Sequence, residues 1–279
     1  MSRVAAIQMA SGPNIGANLI EAERLIGLAA ESGADLVVLP ENFAIMGLDE
    51  GDKVKCREDD GKGPIQEFVS RQAAAHGVWI VGGTVPLSSH DPSKIYAACM
   101  LYDSSGKRVA RYDKMHLFDV HIEASMESYT ESLTILPGNE VVVAETPFGR
   151  IGLAVCYDLR FPELFRYMLD QGAEIFAVPS AFTAHTGKAH WESLVRVRAI
   201  ENLCYIVAPA QGGYHINGRE TFGDSMIVDP WGVVLDRLPS GAGVVIADID
   251  LERLRGIRQG FPAISHRRLQ IAPVPTGDR

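Results

Sequence analysis

The strongest constraint on this chain's fold is a series of short apolar runs, each cut off by proline, glycine or a charged residue. Residues 35–40, Asp35-Leu36-Val37-Val38-Leu39-Pro40, show no apolar–polar alternation. A strand of that kind is apolar on both faces, as when helices or a second sheet cover each side. The same reading predicts strands at 4–9, 79–85, 95–102, 108–112, 141–145, 151–156, 174–179, 204–209, 226–229, 233–238 and 244–248. Residues 18–31, 161–171 and 189–202 read as helices, and Pro64 opens a helix that runs to about His76 and stops at Gly77. The link Thr146-Pro147-Phe148-Gly149-Arg150 suits a hairpin. This alternation predicts a single α/β domain over residues 1–279, with helices outside stacked sheets. Spacing alone does not order the strands.

Composition removes several classes of function. A net charge of -9 argues against nucleic acid as a main partner, because phosphate binding needs a basic face. No apolar run is long enough to span a bilayer. The segment Met1-Ser2-Arg3-Val4-Ala5-Ala6-Ile7-Gln8 reads as the first strand rather than a signal peptide. Cys56, Cys99, Cys156 and Cys204 show no CxxC or metal-ligand spacing, and so read as free thiols of a reducing cytoplasm. GxSxG, phosphate-loop, HExxH and complete GxGxxG motifs are all missing, and neither metal nor cofactor is expected.

Three residues stand at the ends of predicted strands. Cys156 follows Ile151-Gly152-Leu153-Ala154-Val155 and precedes Tyr157-Asp158-Leu159-Arg160-Phe161-Pro162-Glu163, where Pro162 and Glu163 suit the start of a helix. A thiol between strand end and helix start lies in an electropositive spot that lowers its pKa. Taken by itself, the position fits a buried core cysteine equally well. Glu41, directly after Leu39-Pro40, emerges at a sheet rim where sites gather. Alone it also fits a solvated loop acid, as Lys114 alone fits a surface cation. His116, His121, His185 and His190 carry no dyad or ligand signature, so structural roles are expected for them.

Taken together, Leu39-Pro40-Glu41, Tyr112-Asp113-Lys114-Met115-His116-Leu117 and Gly152 through Glu163 resemble the nitrilase-like carbon–nitrogen hydrolase superfamily, in order and along nearly the whole chain. The resemblance implies an α-β-β-α sandwich that forms four layers, a homodimer, and a Glu–Lys–Cys triad without a cofactor. In that triad Cys156 attacks an amide carbonyl, Glu41 moves the proton, and Lys114 stabilises charge together with the Tyr157 backbone N–H. Glu131, in Tyr129-Thr130-Glu131-Ser132, falls where many members carry a second glutamate, implied to orient Lys114. A loop acid beside Glu123 and Glu127 is the alternative there.

Later segments bear on substrate. Pro179-Ser180-Ala181-Phe182-Thr183, Thr186-Gly187 and Ala189-His190-Trp191-Glu192 resemble amidase branches of the superfamily. Gln211-Gly212-Gly213, Gly223-Asp224-Ser225-Met226 and Val228-Asp229-Pro230-Trp231-Gly232 are most similar to the deaminated-glutathione amidases. That branch implies hydrolysis of a small-molecule 2-oxo acid amide to 2-oxoglutarate and cysteinylglycine. An ω-amidase acting on 2-oxoglutaramate, an N-carbamoyl amino-acid hydrolase and a catalytically silent interaction protein are the alternatives. Arg160 is the natural grip for a 2-oxo carboxylate, unless it pairs with Glu163, and Thr183 and Thr186 offer hydroxyl contacts.

Overall fold

The computed structural model describes residues 1–123 and 127–269. Among these residues, seven strands form one sheet in the order Gly243–Ile249, Ser2–Gln8, Leu36–Val38, Trp79–Val81, Ile95–Tyr102 and Val85–Ser88, with Arg108–Asp113 also paired to Ile95–Tyr102. Six form a second sheet in the order Val234–Leu238, Ser225–Val228, Tyr205–Ala208, Ile175–Ala177, Gly149–Leu153 and Val143–Thr146. Three central strands of each sheet are parallel where helices cross between them: Ser2–Gln8 with Leu36–Val38 and then Trp79–Val81, and Gly149–Leu153 with Ile175–Ala177 and then Tyr205–Ala208.

Side-chain alternation sorts the layers. In the first sheet, Val4, Ala6, Leu36 and Val38 pack toward the second sheet, in one cluster with Leu153, Ala177 and Val207. Their neighbours Ala5, Ile7, Val37 and Leu39 pack in a separate cluster with Leu25 and Ile26 of helix Ile15–Glu31 and Phe68 and Val69 of helix Pro64–His76. Helices Pro162–Asp170 and Ala184–Asn202 cover the far face of the second sheet through Phe165, Met168, Trp191 and Val195. Gly152 is fitted to that contact, since a Cβ there would stand 2.6 Å from Met168 Sδ. The protein is therefore an α-β-β-α sandwich. Because each sheet is apolar on both sides, the runs that encode it lack alternation.

The departures from the expected elements have local causes. The strand expected over 79–85 breaks at Gly82-Gly83 into Trp79–Val81 and Val85–Ser88. Gly83 has φ +53°, and a Cβ there would lie 2.2 Å from the Pro40 carbonyl oxygen, so glycine lets the loop carrying Glu41 close down. The strand expected to reach Cys156 ends at Leu153, and Cys156 opens a 3-10 turn instead. The helix expected at 189 starts at Ala184, capped by the Thr183 side chain. Helices Gly51–Lys55 and Leu251–Gly260 and the hairpins Asp119–Ile122/Glu127–Thr130 and Gly212–Tyr214/Glu220–Phe222 were not expected, being short or largely polar. Among the described residues, no helix is long and apolar enough to cross a membrane.

Candidate active site

The carboxyl ends of the central strands of both sheets open at the same edge, where sites in α/β sheets form. Glu41 lies just beyond Leu36–Val38, Lys114 beyond Arg108–Asp113, Cys156 beyond Gly149–Leu153 and Ala181 beyond Ile175–Ala177. Gln211 ties the two sheets together here. It pairs with Met9 in a parallel bridge, and its Nε2 donates to Ser11 Oγ at 2.8 Å and to the Glu41 carbonyl at 3.1 Å.

Lys114 is 1% exposed, and its ammonium donates to Glu41 Oε1 at 2.8 Å and to Glu131 Oε1 and Oε2 at 3.0 and 2.8 Å. Glu131 also accepts the Phe118 N–H at 2.8 Å. The Lys114 backbone is fixed by Ala97, which accepts its N–H at 3.0 Å, and by Gly138, which donates to its carbonyl at 2.9 Å. Glycine is needed at 138, because a Cβ would lie 2.1 Å from the Asp113 carbonyl oxygen.

Cys156 has φ +49°, in the left-handed region that costs a non-glycine residue about 1–2 kcal/mol. Its N–H donates to the Pro179 carbonyl at 2.9 Å, its sulfur accepts the Ala181 N–H at 3.4 Å, and its thiol faces the same cavity as Glu41. Buried Asp158 holds this elbow in place. Its carboxylate accepts the Val155 N–H and the Tyr112 hydroxyl, each at 2.7 Å, and meets His116 Nδ1 at 2.7 Å. His116 in turn stacks on Phe161 at 3.7 Å, so its place is structural.

The eight residues singled out in the sequence (Glu41, Lys114, Glu131, Cys156, Tyr157, Arg160, Thr183 and Thr186) all line one cavity of about 340 Å³. Arg160 makes no ion pair with Glu163. Its guanidinium stacks over Tyr157 and Phe182, 5.7 and 5.3 Å from the ring centroids, and meets His190 Nδ1 at 3.3 Å. The Thr183 oxygen accepts the Thr186 N–H at 3.3 Å as a helix cap and lies 2.9 Å from Thr186 Oγ1, so it is already engaged. Asn42, Phe118 and Arg219 also line the cavity and were missed in the sequence. Arg219 follows Asn217-Gly218, a pair that signals a hairpin and that would have drawn attention to it.

The carbon-nitrogen hydrolase family model matches residues 3–259. The chain belongs to the carbon-nitrogen hydrolase family. It is 44% identical over 266 residues to a protein of Synechocystis sp. named deaminated glutathione amidase, covering 94% of this chain and 97% of that one. A protein of the same name from Yersinia enterocolitica is 43% identical over 275 residues, covering 98% of this chain and 96% of its own. Among solved structures, Nit3 of Saccharomyces cerevisiae, a member of branch 10 of the nitrilase superfamily, superposes with a TM-score of 0.86 at 31% identity, over 96% of this chain and 97% of that one.

The electrostatics of this hydrolase depart from the sequence expectation at the thiol. Burial pushes the Cys156 pKa up, the Glu41 charge pushes it further, and Lys114 and the Ala181 N–H do not compensate, leaving it well above the ordinary thiol value. The start of the 3-10 turn does not make the thiol acidic, because desolvation outweighs the local positive potential. Burial likewise pulls the Lys114 ammonium down, but Glu131, Glu41 and Cys156 together raise it well above its ordinary value. Glu131, despite burial, is held below the usual carboxylate range by Lys114 and, less strongly, by Lys53. The site thus pairs a thiol that holds its proton tightly with a lysine that holds its charge tightly.

Proposed function

We propose that this carbon-nitrogen hydrolase cleaves the amide bond of deaminated glutathione, releasing 2-oxoglutarate and cysteinylglycine. One observation carries the proposal: a thiol facing the same cavity as a buried ammonium–carboxylate pair, within a chain more than two-fifths identical to two proteins of that name. In the proposed reaction Glu41 takes the Cys156 proton as sulfur attacks the amide carbonyl, which suits a thiol that is neutral at rest. The oxyanion is met by Lys114 and by the Tyr157 N–H, which lies in the first turn of the 3-10 segment, where backbone donors lack internal partners. Glu41 then gives its proton to the departing amine, leaving a Cys156 thioester. It next removes a proton from water, whose oxygen attacks the thioester, and the thiol is restored as the carboxylic acid departs. Glu131 keeps Lys114 charged and in place. Arg160 binds the 2-oxo carboxylate, its flat faces already covered by aromatic rings.

Hydrolysis of deaminated glutathione and 2-oxoglutaramate at matched concentrations tests this reading. A higher kcat/KM for deaminated glutathione is expected, with intact glutathione poor, because its ammonium finds no partner at Arg160. A clear preference for 2-oxoglutaramate makes the protein an ω-amidase. Turnover of N-carbamoyl compounds alone leaves only the triad chemistry. We further propose a cytoplasmic homodimer. All four cysteines are free, and Ile200, Trp231 and Phe261 are neighbouring exposed apolar side chains that a second copy can cover. Sedimentation velocity checks the dimer.

A further inference from the structure

Beside the cavity that holds Cys156 lies a larger, more open groove of about 920 Å³, and Arg219 lines both. Arg219 stands on the Gly212–Tyr214/Glu220–Phe222 hairpin, immediately before its second strand. The hairpin is held against the cavity wall, where Phe222 N–H donates to the Phe182 carbonyl at 2.9 Å. Arg219 Nη2 donates to the Ala181 carbonyl at 2.7 Å, and the guanidinium lies over the Tyr129 ring, 5.0 Å from its centroid. Its Nε is buried and has no hydrogen-bond partner. A buried donor without a partner is costly even on a half-buried side chain, and few such groups persist without a use.

The groove has a second cation in its wall. Lys53 is 7% exposed; its ammonium lies 3.6 Å from Glu50 Oε2, and its charge also reaches Glu131. The acids Asp49 and Glu50 also line the groove, but their side chains are 67% and 46% exposed. Charges at a wet rim are screened, whereas those in the wall are not. Glu127 lines it too and accepts the Tyr129 hydroxyl at 3.1 Å.

We propose that Arg219, supported by Lys53, is a specificity-determining residue that binds the terminal carboxylate of the leaving amine. The groove beyond it is then the subsite for a peptide-like leaving group. This inference rests on the reading of the protein as a deaminated-glutathione amidase and assigns that substrate's second carboxylate. Arg160 takes the carboxylate on the acyl side, and Arg219 takes the one on the departing side. A leaving dipeptide spans at most about 7 Å, long enough to pass from the thiol's cavity into the adjoining groove. The Arg219 guanidinium, anchored through Nη2 to the Ala181 carbonyl, offers its remaining N–H groups to a charge-assisted pair where it lines the cavity and the groove.

The test is a two-by-two comparison of kcat/KM: wild type and Arg219→Gln, each with deaminated glutathione and with its C-terminal glycine amide. In wild type, amidation should cost roughly 10- to 100-fold, the worth of a charged hydrogen bond, and mostly in KM. In Arg219→Gln the ratio between the two substrates should fall close to one, and Arg219→Lys should restore part of it. The amidated substrate probes the contact in unaltered protein, so a poorly folded variant does not decide the outcome. An amidation penalty equal in wild type and variant, or absent from wild type, overturns the inference while leaving the parent reading intact. A wild type that does not hydrolyse deaminated glutathione at all overturns the parent reading, and this inference with it.

Discussion

The buried cluster of Glu41, Lys114, Glu131 and Cys156 and the cavity rim of Arg160, Thr186 and Arg219 are built by opposite means. In the cluster, Glu41, Lys114 and Cys156 stand just beyond strand ends and are between 1% and 8% exposed. All three donors of the Lys114 ammonium are matched to carboxylate oxygens of the protein itself. At the rim, the side chains come from a 3-10 turn, the first turn of a helix and a hairpin, and one donor of Arg219 has no partner in the protein. A site whose charges already satisfy one another is organised for a reaction type, whatever the substrate. A rim with open donors is organised for a ligand. Chemistry and selectivity are therefore separable in this molecule, and mutations should show it.

The largest effects belong to the cluster. Cys156→Ala should abolish turnover of every amide while circular dichroism stays native, and residual activity above background would remove Cys156 from the mechanism. Lys114→Met leaves Glu41 and Glu131 buried beside each other without a cation, so kcat should fall by at least roughly 10²–10⁴-fold. A fall confined to KM would place Lys114 with the rim instead.

Glu41→Gln sharpens the comparison, because it should move two readouts in opposite directions. Turnover should drop by roughly 10²–10⁴-fold as the base is lost. Yet the variant also removes a negative charge that raises the Cys156 pKa, while Lys114 remains. Alkylation of Cys156 by iodoacetamide, followed against pH, should therefore show its midpoint shifted to lower pH in the variant. In wild type the folded protein holds the thiol proton more tightly than the unfolded chain does. The resulting stability is present below the ordinary thiol range and is lost as pH rises toward the raised folded value. An alkylation midpoint unchanged by Glu41→Gln would mean that Glu41 does not act on the thiol.

This division also explains what could be seen in the sequence. Glu41, Lys114 and Cys156 each stand just past a short strand, but position alone fits a loop acid, a surface cation and a core thiol as well, and only the resemblance of the three motifs taken together singled them out. The two-faced burial of 35–40 pointed to layered sheets by itself. Arg219 was missed: Asn217-Gly218 signals its hairpin, but that the hairpin docks across the sheet edge and carries Arg219 to the cavity is not recorded in any local pattern. Thr183 does line the cavity, as a threonine past a strand suggests, but its oxygen also caps helix Ala184–Asn202, a second role that the local pattern does not record. The expected acidity of the thiol did fail, since a strand–turn–helix pattern says nothing of how completely the elbow is buried.

At the rim, Arg160→Leu should raise KM for 2-oxo acid amides by roughly 10- to 100-fold with a smaller change in kcat, since a charged contact made in both ground and transition states is lost. Simple amides without a carboxylate should respond much less. Equal losses on both substrate types would make Arg160 a support for the Tyr157 and Phe182 rings it stacks on rather than a carboxylate grip.

The smallest effect is expected at Thr183, which touches both regions. Its side chain is 1% exposed, lines the cavity and caps the 19-residue helix beyond it. Loss of a threonine cap costs about 1 kcal/mol, which in a chain of this size lowers Tm by about 2–4 °C. Thr183→Ala should thus appear chiefly in thermal unfolding, with kcat/KM changed less than by Thr186→Ala, whose hydroxyl is then the one turned to substrate. Thr183→Ser keeps the capping oxygen and should recover most of the lost Tm. If Thr183→Ala instead leaves Tm unchanged and raises KM, the hydroxyl belongs to the substrate after all, and the line between a self-satisfied cluster and an open rim has to be drawn one residue further into the helix cap.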